Sequence, residues 1–529
     1  VTSTFDRELS RRDLLRRGAG AALSIGAVSL LPASARAARG SRSARQATTT
    51  LKFARSVAPT QLDPANSIIA GDVYTLDKIF EPLYVTSPSG QLTPWLATGA
   101  TVSKDGKTYT FALRPGVKFS DGSPLTANDV VFSINRARKN SKGPLSFLDG
   151  AITSLEAKGD STVVAQLSAP WAPFLSDISV FANGILPTNF GGKSETDFFN
   201  NPVGTGPFVL AAPFQASASS LTLNRNPNYW QAGKPYLDTV EFLYVDDDNQ
   251  RVLQLRGGQV DVIDSVPPAD VSSLKAESGI AVGLYPAWEV DLLVMNEKLP
   301  QYADRNVRRA ITQAINRPAL VSASSFGTAK PGGSFFPPSL QYYAPENLLP
   351  YNLTAAKASL AKSKFPQGFK TTLLIDGGVQ KWQTFAQIVQ QQLKPLNIDV
   401  TIKALDHAAF ESTFQKDDYD LFIDYAINDI SDPDEMASFE LDFKNGGSGS
   451  YWSSYNNPAV IKLVHQAETL PDGPKRAALY GKIQQLVAGD APFVPLDYPP
   501  YIYASSTKVQ GFAVNPGGAY RLENVKLAV

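Results

Sequence analysis

Residues 427–436, INDISDPDEM, place four acids in ten positions: Asp429, Asp432, Asp434 and Glu435. They follow YDLFIDYA, an apolar run that reads as a strand leaving a core. Carboxylates at this density suit a metal loop, a catalytic pair, a capped turn, or a charge held toward something the protein binds. The turn is the first expectation, because Asp side chains cap local N–H groups and Pro433 stops the strand. An EF-hand fails on spacing: counted from Asp432, the fifth position is Met436 and the sixth Ala437, where an oxygen ligand and a glycine are needed.

The other chemistry-bearing types are sparse. The two histidines, His407 and His465, lie 58 positions apart on expected helices, and HExxH is absent, so no zinc site is expected. Without any cysteine there is no disulfide, thiolate ligand or cysteine nucleophile. GGSGS (446–450) departs from GxSxG at Ser450, and GTG (204–206) runs into Pro207 instead of opening a phosphate-binding helix. Nothing in these patterns argues for catalytic residues, a metal or a cofactor.

The elements that must position the acids follow from periodicity. With 529 residues the chain exceeds a single core. Lys plus Arg and Asp plus Glu both number 49, which argues against a general nucleic-acid binder. TLKFARS (50–56) reads as a strand, and residues 62–84 as a loop leading into a helix that carries Val73, Leu76, Ile79, Phe80 and Leu83. TVSKDGKTYTFAL is a hairpin turning at Asp105-Gly106, and Thr126 with Asp129 caps the helix ANDVVFSINRARK. The cations Arg305, Arg308 and Arg309 share one helix and are expected on a solvated face. From 351 onward strands and helices alternate, as in an α/β domain with a parallel or mixed sheet.

The first residues read as an export signal. Arg11, Arg12, Arg16 and Arg17 precede an apolar run from about Gly18 to Leu31, and Ala35 and Ala37 complete a small-residue cleavage pattern. Ser10-Arg11-Arg12 followed by Leu14-Leu15 resembles a twin-arginine signal. Residues 1–37 are therefore expected to be a signal peptide and 38–49 a disordered leader. No lipid anchor is expected, for want of a cysteine. The mature protein is expected to be soluble outside the cytoplasm.

Nine stretches occur in one order along the mature chain. LDP and IFEPLY come first, then LATGATVSKDGKTYTFALRPGVKFSDGSPLTANDVVFSI, VGTGPFVL, RNPNYW, LRGGQVDV, NVRRAITQAINRPAL, and finally YNNPAV with DAPFVPL. In this the chain resembles the extracytoplasmic solute-binding proteins of the peptide/nickel ABC-importer family. The resemblance implies a two-lobed α/β fold of the type II periplasmic-binding-protein class (cluster C), with a hinge between the lobes and a third, inserted α+β domain. On this chain lobe I takes residues 50–84, 204–292 and 498–529, the inserted domain II takes 85–203, and lobe III takes 293–497. A monomer would close its lobes on a solute and present it to an ABC permease and ATPase complex.

The resemblance also implies a site. Peptide-binding relatives carry Gly-Trp-x-x-Asp on a strand of lobe III, the Asp facing the peptide α-ammonium. YAINDISDP sets Asp429 at that position, with backbone of Tyr425 and Ile427 pairing to the ligand and Ala70 and Gly71 across the cleft. Asp432, Asp434 and Glu435 remain turn and cap residues. Here Tyr425-Ala426 stands where the family has Gly-Trp, so the pocket is not a close copy of a known peptide site. A short peptide is the expected ligand. An oligosaccharide stacked on Trp288, Trp382, Trp452 and Tyr425 is the alternative. A nickel chelate is a weaker one, given two histidines.

Overall fold

The computed structural model describes residues 49–528, apart from 68, 141–142, 144, 217, 345–348, 415 and 444–452. The export segment, the leader up to residue 48, the GGSGS stretch and Trp452 lie outside the described residues. The alternating elements of the second half build a six-stranded sheet ordered Lys330–Pro331, Phe493–Tyr498, Glu289–Met295, Leu421–Ile427, Phe369–Asp376, Ile398–Leu405. Phe369–Asp376 runs parallel to both of its neighbours, and the remaining pairs are antiparallel. Strands covered on both faces must be apolar at nearly every position. Leu373, Ile375, Leu421 and Ile423 share one core with the helix Gln380–Leu393. Leu374 and Phe422 face the opposite core, with the helices Pro458–Glu468 and Pro474–Asp490.

A seven-stranded sheet is ordered Ile280–Pro286, Pro500–Ser506, Val262–Ile263, Thr50–Arg55, Thr239–Tyr244, Ser220–Arg225, Phe208–Leu210. Its core draws Leu51 and Phe53 together with Phe242, Val262 and Tyr503 from distant parts of the chain. A third, antiparallel sheet orders Ala97–Val102, Thr108–Leu113, Thr162–Leu167 and Ile152–Ala157, and packs on the helix Ala127–Lys139. Gly106 turns its first hairpin at φ +71°, and the Asp129 carboxylate accepts the Thr126 N–H at 2.8 Å.

Two strand pairs carry the chain between the large sheets. Ile280–Pro286 continues into Glu289–Met295 after Ala287 and Trp288, and Phe493–Tyr498 continues into Pro500–Ser506 after Pro499. Each pair is antiparallel within its own sheet, so a two-stranded ribbon spans both. The first crossing falls N-terminal to the boundary expected at 292, because Glu289–Met295 pairs along its length with Leu421–Ile427.

Two other expectations need correction. The first helix ends at Leu76; a turn follows in which Ile79 N and Phe80 N both bond the Leu76 carbonyl, and Ile79, Phe80 and Leu83 are buried beyond the helix. Pro82 disfavours helix before it, and the carbonyls of Lys78 and Ile79 accept instead from Phe208 and Gly206. Arg308 is buried rather than solvated: it pairs with Glu297 at 2.9 Å and donates to the carbonyls of Tyr302 and Asp490, while Arg305 of the same helix is exposed.

Asp432 and Arg476 form a buried bidentate pair, at 2.5 and 2.8 Å, which ties the acid-rich loop to the helix Pro474–Asp490. Removing one member of a buried pair strands the other charge. Asp432→Ala is expected to cost about 3 kcal/mol, read as a lowered urea midpoint. Asp472→Ala removes the exposed partner of the same guanidinium and should cost under about 1 kcal/mol. Equal losses would contradict the assignment of Asp432 as the structural partner.

Candidate ligand-binding cleft

The strand Leu421–Ile427 pairs with Glu289–Met295 over its full length, but with Phe369–Asp376 only through Leu421 and Phe422. From Ile423 onward one edge therefore has no strand partner among the described residues. Unpaired edge groups are a template for another extended chain. The Tyr425 N–H is turned to the carboxyl of its neighbour Asp424, 2.8 Å away. Tyr425, Ala426 and Ile427 form one wall of a cavity of about 510 Å³.

The acidic stretch follows at once, and it is not an exposed turn. Asn428 is buried and organises it: Nδ2 donates to the carbonyls of Ile430 and Asp432, at 2.5 and 2.9 Å, and Oδ1 accepts from Met436 N at 2.9 Å. Its backbone N–H donates to the Trp288 carbonyl at the sheet crossing. Asp432 does cap its neighbour, accepting from Asp434 N at 2.9 Å. Ile430 is buried among Leu145, Leu148, Val180 and Ala182, so the loop is covered by chain from the region of the third sheet. Local turn chemistry was legible in the residue types, but the covering segment is about 250 positions away, as the bond of Ser431 to Ser176 illustrates.

Glu435 differs from its expected capping role. Its carboxylate accepts from Asp429 N at 2.6 Å and Ile430 N at 3.2 Å, and it lines the cavity together with Asp429. Burial pushes the Asp429 carboxyl up to about 6, against a hydrogen bond from Glu435 that pulls the other way. Glu435 is held well above the carboxylate range by burial and by the charge of Asp429. Near neutral pH the pair thus keeps one proton and one negative charge, since two such close carboxyls resist ionising together. Three other buried acids have cations: Asp432 has Arg476, Asp291 has Lys381, and Glu81 has Arg521. No lysine or arginine among the described residues lines the 510 Å³ cavity.

Asp429 also borders a second cavity of about 90 Å³, with Val73, Leu76, Phe80 and the C-terminal loop residues Asn515 and Gly517. The Tyr74 phenol is pushed up by burial and by the Asp429 charge. Gly518 permits this approach, because a Cβ there would fall 2.0 Å from the Tyr74 hydroxyl and its φ is +86°.

Of the expected site residues, Tyr425, Ile427 and Asp429 meet on one cavity wall. Ala70 is exposed, and its carbonyl accepts from Arg55 at 3.0 Å. Gly71 is buried, where a Cβ would come within 2.3 Å of the Ala58 carbonyl oxygen. Neither lines the two cavities; from their helix, Val73 and Leu76 do. Trp288 is 1 % exposed within a core, and Trp382 sits edge-bound, its indole N–H on Asp291 at 3.0 Å and its ring 6.3 Å from that of Tyr425. Sequence reasoning passed over Asp424 and Glu440, both buried and both on the 510 Å³ cavity. The signal for Asp424 was an acid set inside an otherwise apolar strand.

His407 binds Asp376 at 2.7 Å and His465 binds Asp442 at 2.6 Å, and among the described residues no group of three ligating side chains is placed to hold a metal ion. No described helix is long and apolar enough to cross a membrane. A larger, open depression of about 1260 Å³ lies over the helix Ala127–Lys139 and includes none of the expected site residues.

Comparison with known proteins bears on the family and the fold. A model of the middle region of the bacterial extracellular solute-binding proteins, family 5, matches residues 91–448. The probable D,D-dipeptide-binding periplasmic protein DdpA of Escherichia coli K12 is 28 % identical over 477 residues, covering 88 % of this chain and 92 % of that protein. The Helicobacter pylori periplasmic binding protein DppA, solved with the peptide STSA, is 27 % identical with a TM-score of 0.77, over 91 % of this chain and 98 % of the other. AgaA from A. tumefaciens R10, solved with agropinic acid, is 25 % identical with a TM-score of 0.78, over 91 % and 99 %. The fold is accordingly the two-lobed type II periplasmic-binding-protein architecture expected from the resemblance. The chain belongs to the bacterial extracellular solute-binding proteins, family 5.

Proposed function

We propose that the protein captures a short peptide between its two lobes and delivers it to an ABC importer. The observation that carries this reading is a half-buried carboxylate, Asp429, proton-linked to Glu435 at the end of a strand edge, where neither the carboxylate has a cation nor the edge a strand partner among the described residues. A peptide supplies both missing parts: its α-ammonium meets the charge, and its backbone pairs with the edge at Tyr425 and Ile427. The relatives solved or named with peptides support the same class of ligand. Lobe I then comprises the seven-stranded sheet, lobe III the six-stranded sheet and domain II the inserted antiparallel sheet. The ribbon through Ala287–Trp288 and Pro499 is their hinge. Export by the N-terminal signal and work as a monomer complete the reading.

Four calorimetric titrations test the anchor, with the tightest binder from a panel of di- to pentapeptides in free and N-acetylated form. Asp429→Asn should cost the free peptide about 2–5 kcal/mol, roughly 30- to several-thousand-fold in affinity. Acetylation should cost wild type a similar amount and the variant far less, because both changes remove one interaction. Equal acetylation penalties in both proteins would remove Asp429 from the role. Oligosaccharides should give no heat, and every peptide should be recovered chemically unchanged.

The same pair sets a pH dependence. A cation binds the ionised form, and burial has moved ionisation of Asp429 up to about 6 while Glu435 stays protonated. As the pH falls through about 6 the pair becomes neutral, so affinity for a free peptide should drop by up to about tenfold per pH unit below that point. The N-acetylated peptide should bind with nearly the same affinity from pH 7 to pH 5. A flat profile for the free peptide would mean that no carboxylate in this range meets the ammonium.

A ligand-free and ligand-saturated pair of small-angle scattering curves tests the hinge. The radius of gyration should fall with ligand, and identical curves would exclude lobe closure.

A further inference from the structure

We propose that the 510 Å³ cavity is a subsite for a basic side chain, in which Asp424 and Glu440 hold the ammonium or guanidinium of a lysine or arginine in the bound peptide. The inference rests on the peptide reading and assigns to it a side-chain class. Glu440, on the helix Asp434–Leu441, is 3 % exposed, and its Oε2 has no hydrogen-bond partner among the described residues although Glu440 borders the cavity. Asp424, 7 % exposed, comes from the open-edged strand and uses one oxygen on the Tyr425 N–H. A buried carboxyl oxygen with no donor is costly, and such groups are retained where a partner arrives.

The rest of the lining fits the stem of such a residue. Phe410 is buried on one side, and Phe439 stacks on Phe147 with ring centroids 6.0 Å apart on another. Apolar faces of this kind take up the methylenes of lysine or arginine and attract the charged tip. Burial holds both carboxyls well above the carboxylate range, and the nearby Asp424 raises Glu440 further. An acidic side chain would meet buried carboxyls and no lysine or arginine among the described lining residues. An apolar one would leave the Glu440 oxygen unpaired.

A lysine scan tests the subsite. Tripeptides of alanine carrying lysine at the first, second or third position are titrated beside their norleucine and glutamate counterparts at neutral pH. At one position lysine should bind about tenfold or more tightly than norleucine, with glutamate weaker than both. In Glu440→Gln, with folding checked by thermal melting, the lysine-to-norleucine ratio at that position should fall toward one. If norleucine matches lysine at every position, the basic subsite is overturned while the peptide reading stands. If no tripeptide of any charge binds, both are overturned. A ratio unchanged by Glu440→Gln would overturn the assignment to Glu440.

Discussion

A half-buried carboxylate with no cation among the described residues is the constraint around which the cleft is arranged. Charges removed from water must be paired, hydrogen-bonded or neutralised by a proton. The chain meets this rule with arginine or lysine at Asp432, Asp291 and Glu81. At Asp429 and Glu435 it uses a shared proton and two backbone N–H groups instead. This solution is tolerable when the site is empty and is improved by a cation. Stability alone would favour a resident lysine in the same place. Leaving one out keeps the carboxylate available to a ligand.

Keeping that pair in position requires a stiff frame. Asn428 spends both side-chain groups on the backbone of residues 430–436, and its N–H reaches Trp288. Trp288 N in turn donates to Pro516 O at 2.7 Å, so one residue of the crossing touches both the acidic loop and the C-terminal loop. The Asp432–Arg476 pair fixes the far side. On the proposed hinge, a rotation about Ala287–Trp288 would carry the Asp429 carboxylate with the six-stranded sheet and change its distance from Val73 and Tyr74.

Much of this was legible in residue order. Strand–helix alternation, the Asp105-Gly106 turn and the Thr126–Asp129 cap are local, and local propensity agrees with the fold there. Asp429 stood out only through the resemblance, because the family's strand motif and the Pro433 that follows it fall there in this sequence. Three features were not legible. The first helix is cut short by hydrogen bonds to residues 206–208, Arg308 is drawn inward by Glu297 and by carbonyls on another helix, and Glu440 becomes part of a cavity only when the helix Asp434–Leu441 folds back over the strand carrying Asp424. Each depends on a contact between distant segments. Residue type predicts these poorly, because Arg and Glu are ordinarily solvated.

The two acidic centres of the cleft also differ in what they demand of a ligand. Asp429 is half-buried and ionises near 6, so at neutral pH it already carries the charge that a terminal ammonium needs. Asp424 and Glu440 are buried more deeply and hold their protons, so a cation reaching them must also displace protons to water. On the proposed reading the first centre recognises what all unblocked peptides share, at little cost in protonation. The second is selective, because only a ligand whose own charge offsets that deprotonation gains from it. Burial depth, more than the number of acids, therefore separates general affinity from side-chain preference in this cleft.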